Sequence, residues 1–187
     1  QVGDSTVGGR VVFRKFADVG TVQCDTEFIR VDTFNPRAAL IQVNDGSQVT
    51  LADPLTLDIS ELGNVLCNPE TLKIFHACSE DIEVFNLLFP KQRITRVFDT
   101  QIGLAFLGYG NQVGYQKALQ ECLNISISKA ETRSDWLMRP LTPDQLQYAA
   151  FDVEYLFPLY NFIRERLEQR KLLDWCEADC ALVLEEK

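Results

Sequence analysis

The first half of the chain contains short runs in which hydrophobic and polar residues alternate. A period of two is typical of β-strands, and it predicts strands at residues 21–29, 38–44 and 48–52. The sequence N-D-G-S at residues 44–47 has the composition of a tight turn between the last two runs. The pattern therefore predicts that the chain opens with a meander of β-strands.

Beyond residue 56 the hydrophobic pattern alternates between two periods. Apolar residues spaced three and four apart predict helices at 57–66, 79–88, 100–107 and 114–123. Short apolar runs between them predict strands at 71–77 and 96–99. Strands followed by strands interleaved with helices predict an α/β fold, in which helices flank a mixed β-sheet.

The last third of the chain has a clear helix start. In the sequence T-P-D-Q, Thr142 is the expected N-cap, Pro143 takes the first helical position and Gln145 completes a capping box. This helix should run through residue 152, and Pro158 should kink it because proline cannot donate a backbone hydrogen bond. Residues 165–187 are predicted to be helical as well.

Size and composition predict one domain spanning residues 1–187. Of these 187 residues, 46% are hydrophobic and 24% are charged, as in an ordinary globular protein. No apolar run approaches the length of a membrane span and nothing resembles a signal peptide, which predicts a cytoplasmic protein without a membrane partner. No obligate protein partner is evident.

The charge and cysteine content restrict the possible partners. A net charge of −9 argues against a general nucleic-acid binder with a basic face. It does not exclude an enzyme that binds nucleic acid through metal ions held by its own acids. The six cysteines form no C-x-x-C pair and there is one histidine, which predicts reduced thiols and no zinc site.

Five residues have the chemistry of a phosphodiesterase site. Asp25 and Glu27 are two apart in a predicted strand, so they should share one face. Tyr148 and Asp152 are four apart in a predicted helix and should also share a face. Asp81 falls in the first turn of another predicted helix. Each signal alone is weak, because acids are usually solvated, but together these groups could hold two divalent cations and direct a water molecule.

Three runs of the chain, in order and with plausible spacing, carry a family resemblance: C-D-T-E-F-I-R with N-P-R-A-A-L-I-Q-V, K-I-F-H-A-C-S-E-D-I-E-V-F, and K-A-E-T-R-S-D-W-L-M-R-P-L-T-P-D-Q-L-Q-Y-A-A-F-D-V-E-Y-L. They resemble the three exonuclease motifs of ribonuclease D proteins, members of the DEDD exonuclease superfamily. Tyr148, four residues before Asp152, resembles the tyrosine-bearing (DEDDy) branch, because the histidine-bearing branch would have histidine at Gln147.

The resemblance covers about residues 10–170 and implies a ribonuclease H-like fold for this core. Residues 171–187 are then expected to form a C-terminal helical extension. Ribonuclease D proteins continue into helical HRDC domains, which are absent from this chain, so it is expected to be either a truncated or a naturally minimal enzyme.

The resemblance also implies how the site works. Asp25, Glu27 and Asp152 would ligate the first of two divalent ions, Mg²⁺ or Mn²⁺. Asp25 would bridge to the second ion, and Asp81 would contribute through coordinated water. Two such ions promote in-line phosphodiester hydrolysis, which would release nucleoside 5′-monophosphates from a 3′ end. Tyr148 would orient the attacking water, since a phenol with an ordinary pKa of about 10 is a poor base.

Several further residues are candidates for contacts with substrate. Phe28 and Phe34 could stack on terminal bases, although core packing is the favoured alternative for Phe28. Lys129, Arg133 and Arg139, near Trp136, are either phosphate and ribose contacts or parts of a solvated loop. The full set of expected substrate-binding residues is Thr26, Phe28, Phe34, Arg133 and Trp136. His76 is expected to be a hydrogen-bonded structural residue rather than a base.

These observations predict a 3′-5′ exoribonuclease that trims RNA 3′ ends, such as those of tRNA or small RNAs. One alternative is a Werner-like 3′-5′ exonuclease acting on single-stranded DNA, because the motifs do not identify a contact with the ribose 2′-hydroxyl. The other alternative is a catalytically inactive adaptor that keeps the fold to bind RNA or protein. Such an adaptor is expected to have lost site acids, and this chain retains all of them.

Overall fold

The computed structural model describes residues 20–30, 34–128 and 134–185, together with the backbone of residues 6–7 and 10–11. In this part of the chain the strands are β1 (Thr6–Val7), β2 (Arg10–Val11), β3 (Thr21–Ile29), β4 (Arg37–Asn44), β5 (Val49–Ala52), β6 (Leu72–Phe75) and β7 (Val97–Asp99). The helices are α1 (Ser60–Cys67), α2 (Ser79–Leu88), α3 (Thr100–Phe106), α4 (Tyr115–Leu123), α5 (Pro143–Glu154), α6 (Leu156–Gln169) and α7 (Leu173–Glu185).

Five of the strands form one mixed sheet in the order β5-β4-β3-β6-β7, and β1 pairs separately with β2. The opening meander β3-β4-β5 is antiparallel, whereas β6 and β7, which follow helices, lie parallel to β3 and to each other. This topology confirms the predicted mixed sheet and places β3 at its centre, with neighbours on both sides.

The pairing of β3 with β4 contains a bulge. Glu27 lies opposite Leu40 and Phe28 lies opposite Ala38, so Ala39 has no direct partner on β3. The bulge falls beside a candidate site residue, where such irregularities commonly redirect side chains.

Apolar side chains pack on both faces of the sheet. Val22 and Cys24 of β3 face a cluster that includes residues of α1 and α2, such as Leu62 and Phe85. Gln23, on the opposite face of β3, contacts the start of α6. Odd-numbered residues of β3 therefore point towards α5 and α6, and even-numbered residues point towards α1 and α2.

The C-terminal segment, predicted to be helical over residues 165–187, is divided between two helices. Helix α6 ends at Gln169, and α7 begins at Leu173. Lys171 has a φ of 58°, and Leu172 donates its backbone N–H to Leu167 O at 2.8 Å, which is the hydrogen bond of a Schellman C-cap. The interruption between the two helices was not predicted, because a lysine occupies the left-handed position where glycine is the usual signal. No helix among the described residues is both long and apolar enough to cross a membrane.

Candidate active site

Asp25 and Glu27 lie on the central strand β3, beyond the end of its pairing with β6. That pairing stops at Gln23, opposite Ile74. The two acids share one face of the strand, and both side chains are half-buried. Gln42, fully buried on β4, donates its Nε2 to Glu27 Oε1 at 3.2 Å. The strand therefore presents two neighbouring carboxylates, one of which is held by a buried amide.

Helix α5 brings the third carboxylate, Asp152. The helix starts as predicted, because Thr142 Oγ1 accepts from Gln145 N at 3.1 Å and Gln145 Oε1 accepts from Thr142 N at 2.9 Å. Asp25, Glu27 and Asp152 each offer one carboxylate oxygen, and these oxygens all lie within 4.8 Å of one another. Acidic side chains from distant parts of the sequence thus lie close together.

The three carboxylates affect one another strongly. Burial, followed by repulsion from Asp152, raises the pKa of Glu27 to about 9. Burial raises the pKa of Asp152 to about 7 and, with repulsion from neighbouring acids, holds the pKa of Asp25 well above its usual value. A bound divalent cation would remove this repulsion. A cluster made only of carboxylate oxygens suits a hard ion such as Mg²⁺ or Mn²⁺, so the residues fit the implied metal.

Asp81 lies beside this cluster but is not part of it. Its carboxylate is 5% exposed at the start of α2 and accepts a hydrogen bond of 2.5 Å from Thr26 Oγ1. Burial raises the pKa of Asp81 to about 8, although the hydrogen bond from Thr26 opposes this shift. The predicted substrate contact of Thr26 stays a prediction, and in the structure its hydroxyl instead links β3 to Asp81.

Tyr148 lies one turn before Asp152 on α5 and is half-buried. Its ring packs against Trp136, with 5.9 Å between ring centroids and 36° between ring planes. Trp136 is itself only 3% exposed, among Ala39, Leu40 and Ala149. Trp136 therefore forms a buried support for the ring of Tyr148. The predicted contact of Trp136 with substrate stays a prediction.

A pocket of about 270 Å³, here called the acidic pocket, connects these groups; it is lined by Cys24, Asp25, Thr26, Glu27, His76, Tyr115, Tyr148, Asp152 and Leu156. Four of the five predicted catalytic residues line this pocket. The fifth, Asp81, accepts a hydrogen bond from Thr26, which also lines the pocket. The pocket is large enough to hold ions and water next to a phosphate group.

Arg139 has a structural role rather than a place in the pocket. Its guanidinium donates to Asp53 Oδ2, Trp136 O and Ala39 O, each at 2.7 Å, and to Met138 O at 2.9 Å. We call these contacts the Arg139 brace. They attach the loop before α5 to β4 and to the loop after β5, and they engage four of the five N–H donors of the guanidinium.

Phe34 is the most exposed of the predicted contacts that lie within the described residues. Its side chain is 93% exposed, and its carbonyl accepts a hydrogen bond of 2.6 Å from Arg30. Arg30 also pairs with Glu83 at 2.6 Å and lies 5.9 Å from the centre of the Phe28 ring. Phe28 is half-buried, so its exposure favours neither base stacking nor core packing. The remaining predicted contact, Arg133, lies outside the described residues, as does Lys129.

His76 and Tyr115 complete the wall of the pocket. His76 Nε2 donates to Val113 O at 2.7 Å, and Nδ1 lies 2.7 Å from Thr100 Oγ1. Burial lowers the pKa of His76, which agrees with the expected structural role. Tyr115 was not among the predicted site residues, because its position at the start of an amphipathic helix carries no local signal of a site.

Comparison with known proteins identifies the family to which this chain belongs. Residues 8–168 match a family model described as 3′-5′ exonuclease. Ribonuclease D of Haemophilus influenzae is 46% identical over 164 residues, which cover 87% of this chain and 41% of that protein. The chain thus spans about two fifths of the length of this relative.

Solved structures show the same likeness. RNase D of Escherichia coli, described as an exoribonuclease involved in structured RNA processing, has a TM-score of 0.87 and 37% identity, covering 91% of this chain and 46% of that one. NrnC of Brucella melitensis, solved with pGG, has a TM-score of 0.82 and 27% identity, covering 91% of this chain and 84% of that one. The likeness to RNase D confirms the ribonuclease H-like fold. The match over residues 8–168 shows that the chain belongs to the 3′-5′ exonuclease family.

Proposed function

We propose that this chain is a metal-dependent 3′-5′ exoribonuclease that releases nucleoside 5′-monophosphates. The observation that carries the proposal is the grouping of Asp25, Glu27 and Asp152, whose oxygens lie within 4.8 Å of one another beside Tyr148. Acids held this close with raised pKa values are costly to fold unless a cation binds them, which favours a functional site. The similarity to ribonuclease D supports the direction of cleavage and the class of substrate.

In this proposal the chain's acids hold the metal ions. Asp25, Glu27 and Asp152 would be the direct ligands, with Asp25 contributing to both ions, and Asp81 would be a supporting acid. Two divalent ions, Mg²⁺ or Mn²⁺, would neutralise the phosphodiester and activate the attacking water. The structure of Brucella melitensis NrnC with bound Mg²⁺, 26% identical with a TM-score of 0.79, supports this choice of ions.

The reaction is hydrolysis at the last phosphodiester of the strand. Water forms a bond to phosphorus while the bond from phosphorus to the 3′-oxygen of the preceding nucleotide breaks. The water loses a proton and the departing 3′-oxygen gains one, so one nucleotide leaves as a 5′-monophosphate. Tyr148 orients the water by hydrogen bonding, with Trp136 holding its ring in place.

The substrate that this site fits best is the 3′ end of an RNA strand, such as a tRNA precursor or a small RNA, in the cytoplasm. The exposed ring of Phe34 lies shortly after β3, which carries Asp25 and Glu27. An aromatic ring in such a position can stack on an unpaired base. The likeness to RNase D of Escherichia coli, an exoribonuclease involved in structured RNA processing, supports an RNA substrate.

The test is incubation of a 5′-labelled single-stranded RNA with the protein and Mg²⁺ or Mn²⁺. We expect a ladder of products shortened from the 3′ end, with nucleoside 5′-monophosphates identified by chromatography. EDTA and Asp25→Asn should abolish the ladder, whereas Asp144→Asn, at an exposed position on α5, should leave it intact. Activity that survives both EDTA and Asp25→Asn would show that the metal mechanism is wrong.

Two parallel measurements separate the alternatives. A DNA strand of the same sequence should be shortened more slowly than the RNA; equal rates would show that the 2′-hydroxyl is not recognised. Calorimetric titration with Mn²⁺ should show binding that Asp25→Asn removes. A protein that binds neither Mn²⁺ nor Mg²⁺ and shortens neither strand would instead be an inactive adaptor.

A further inference from the structure

Helices α5 and α6 follow one another almost without a linker, but they are not one continuous helix. Helix α5 ends at Glu154 and α6 begins at Leu156, and Tyr155 between them has φ −109° and ψ 5°. Asp152 lies two residues before the end of α5. The break therefore lies next to a candidate metal ligand, and its geometry affects the direction of that carboxylate.

A side chain from another helix fills the break. In a continuous helix Tyr155 N would donate to Phe151 O. Instead, Tyr115 Oη accepts from Tyr155 N at 3.3 Å and donates to Phe151 O at 2.8 Å. The hydroxyl of Tyr115 is thus inserted into the backbone ladder, an arrangement that bends helices.

A second pair of backbone groups, two residues further along the helix, is also separated and satisfied by side chains. Val153 O accepts from Asn44 Nδ2 at 3.1 Å, and Phe157 N donates to Gln23 Oε1 at 2.9 Å. Gln23 and Asn44 are 3% and 8% exposed, so these are interior contacts. Pro158, which follows, has no N–H to donate, and this explains why a break is favoured here.

Tyr115 is held firmly at this position. It is the first residue of α4 and its ring lines the acidic pocket. The ring of His76 packs against it, with 5.7 Å between centroids, and His76 is bound in turn to Val113 O. The hydroxyl is therefore fixed relative to the sheet, and the break follows the position of the hydroxyl.

We propose that Tyr115 is a positioning residue, whose hydroxyl holds the break between α5 and α6 open and thereby places Asp152 against Asp25 and Glu27 for cation binding. This inference rests on the proposed function and adds a residue to its machinery. Without the hydroxyl, Tyr155 N can bond directly to Phe151 O. That change straightens the helix at the residue before Asp152 and moves the carboxylate relative to β3.

The test compares Tyr115→Phe with Tyr109→Phe, which removes the phenolic hydroxyl of another partly buried tyrosine in the same apolar cluster. Calorimetric titration should show about tenfold weaker Mn²⁺ binding for Tyr115→Phe, as expected for the loss of one hydrogen-bonded contact. Tyr109→Phe should bind Mn²⁺ within about twofold of the unmodified protein, since roughly 0.4 kcal/mol corresponds to a factor of two. The rate of RNA shortening by Tyr115→Phe should fall at limiting Mn²⁺ and recover at saturating Mn²⁺.

Melting in EDTA shows whether Tyr115→Phe is folded. If it is not, Gln23→Met, which removes the acceptor of Phe157 N on the other side of the break, is titrated with Mn²⁺ instead and should show the same weakening. Mn²⁺ affinity equal to that of the Tyr109→Phe control overturns the inference and leaves the proposed function intact. An unmodified protein that neither binds Mn²⁺ nor shortens RNA overturns both.

Discussion

Charged groups are accommodated in opposite ways in the acidic pocket and in the Arg139 brace. Asp53 is paired with Arg139 at 2.7 Å, and this hydrogen bond lowers its pKa. The acids of the acidic pocket lie next to one another, and burial with mutual repulsion raises their pKa values. The brace is complete without any ligand, whereas the acidic pocket becomes electrostatically balanced only when cations or protons bind. This difference separates the scaffold from the site.

The largest expected effect is the loss of a pocket carboxylate. We expect Asp152→Asn to lower the rate of RNA shortening by more than about 1000-fold, because loss of several kcal/mol of cation-mediated stabilisation has that effect. The same change should raise the melting temperature in EDTA at pH 8, because it removes like-charge repulsion. Asp144→Asn is the matched control for both measurements. A rate within tenfold of the unmodified protein would show that Asp152 is not a ligand.

Next in size is the loss of the phenol next to the cluster. Tyr148→Phe should lower kcat by roughly 100-fold while leaving Mn²⁺ affinity unchanged, because the hydroxyl orients water and does not bind the ions. Tyr160→Phe, which lies outside the acidic pocket, is the control. Weaker Mn²⁺ binding by Tyr148→Phe would contradict the separation between water-orienting and metal-binding groups.

The brace should affect stability more than catalysis. Arg139→Ala should lower the free energy of unfolding by about 2–3 kcal/mol, because three carbonyls and one partly buried carboxylate lose their donor. Arg164→Ala breaks an exposed ion pair with Glu168 and should cost less than about 1 kcal/mol. Urea denaturation measures both. Equal costs for the two variants would show that the brace is no different from a surface pair.

The smallest expected effect is a pH dependence of the metal-free protein. Carboxyl groups with raised pKa values stabilise the fold below about pH 4, and this contribution is lost as pH rises through the values of about 7 for Asp152, 8 for Asp81 and 9 for Glu27. The melting temperature in EDTA should therefore fall by several degrees between about pH 5 and pH 9, since about 1 kcal/mol shifts it by roughly 2–4 °C. Saturating Mg²⁺ should remove the decline. An unchanged melting temperature in EDTA would contradict the raised pKa values.

Local features of the fold were predictable from the sequence because their signals are local. The alternation over residues 21–29 predicted β3 with its observed bounds, and T-P-D-Q predicted the capping box of α5. The position of the break at Tyr155 was not predicted, although Pro158 indicated a kink nearby. Its position depends on Tyr115, Gln23 and Asn44, which come from distant parts of the chain.

The residues of the candidate site could be proposed from the sequence, but their arrangement in space could not. Spacing placed Asp25 with Glu27 and Tyr148 with Asp152, and only the family resemblance joined the two pairs. The hydrogen bond between Thr26 and Asp81 and the packing of Trp136 against Tyr148 are tertiary contacts without a local pattern. Their roles therefore became visible only in the folded structure.

Because of the bulge between β3 and β4, the number of residues in β4 affects the candidate active site. Ala39 has no direct partner on β3, and Arg139 Nη2 donates to its carbonyl at 2.7 Å. Deleting one residue here would move the first residues of β4 to the opposite face and remove an acceptor of the brace. The extra residue and the arginine should therefore be inherited together: a relative that has lost one is expected to have lost the other.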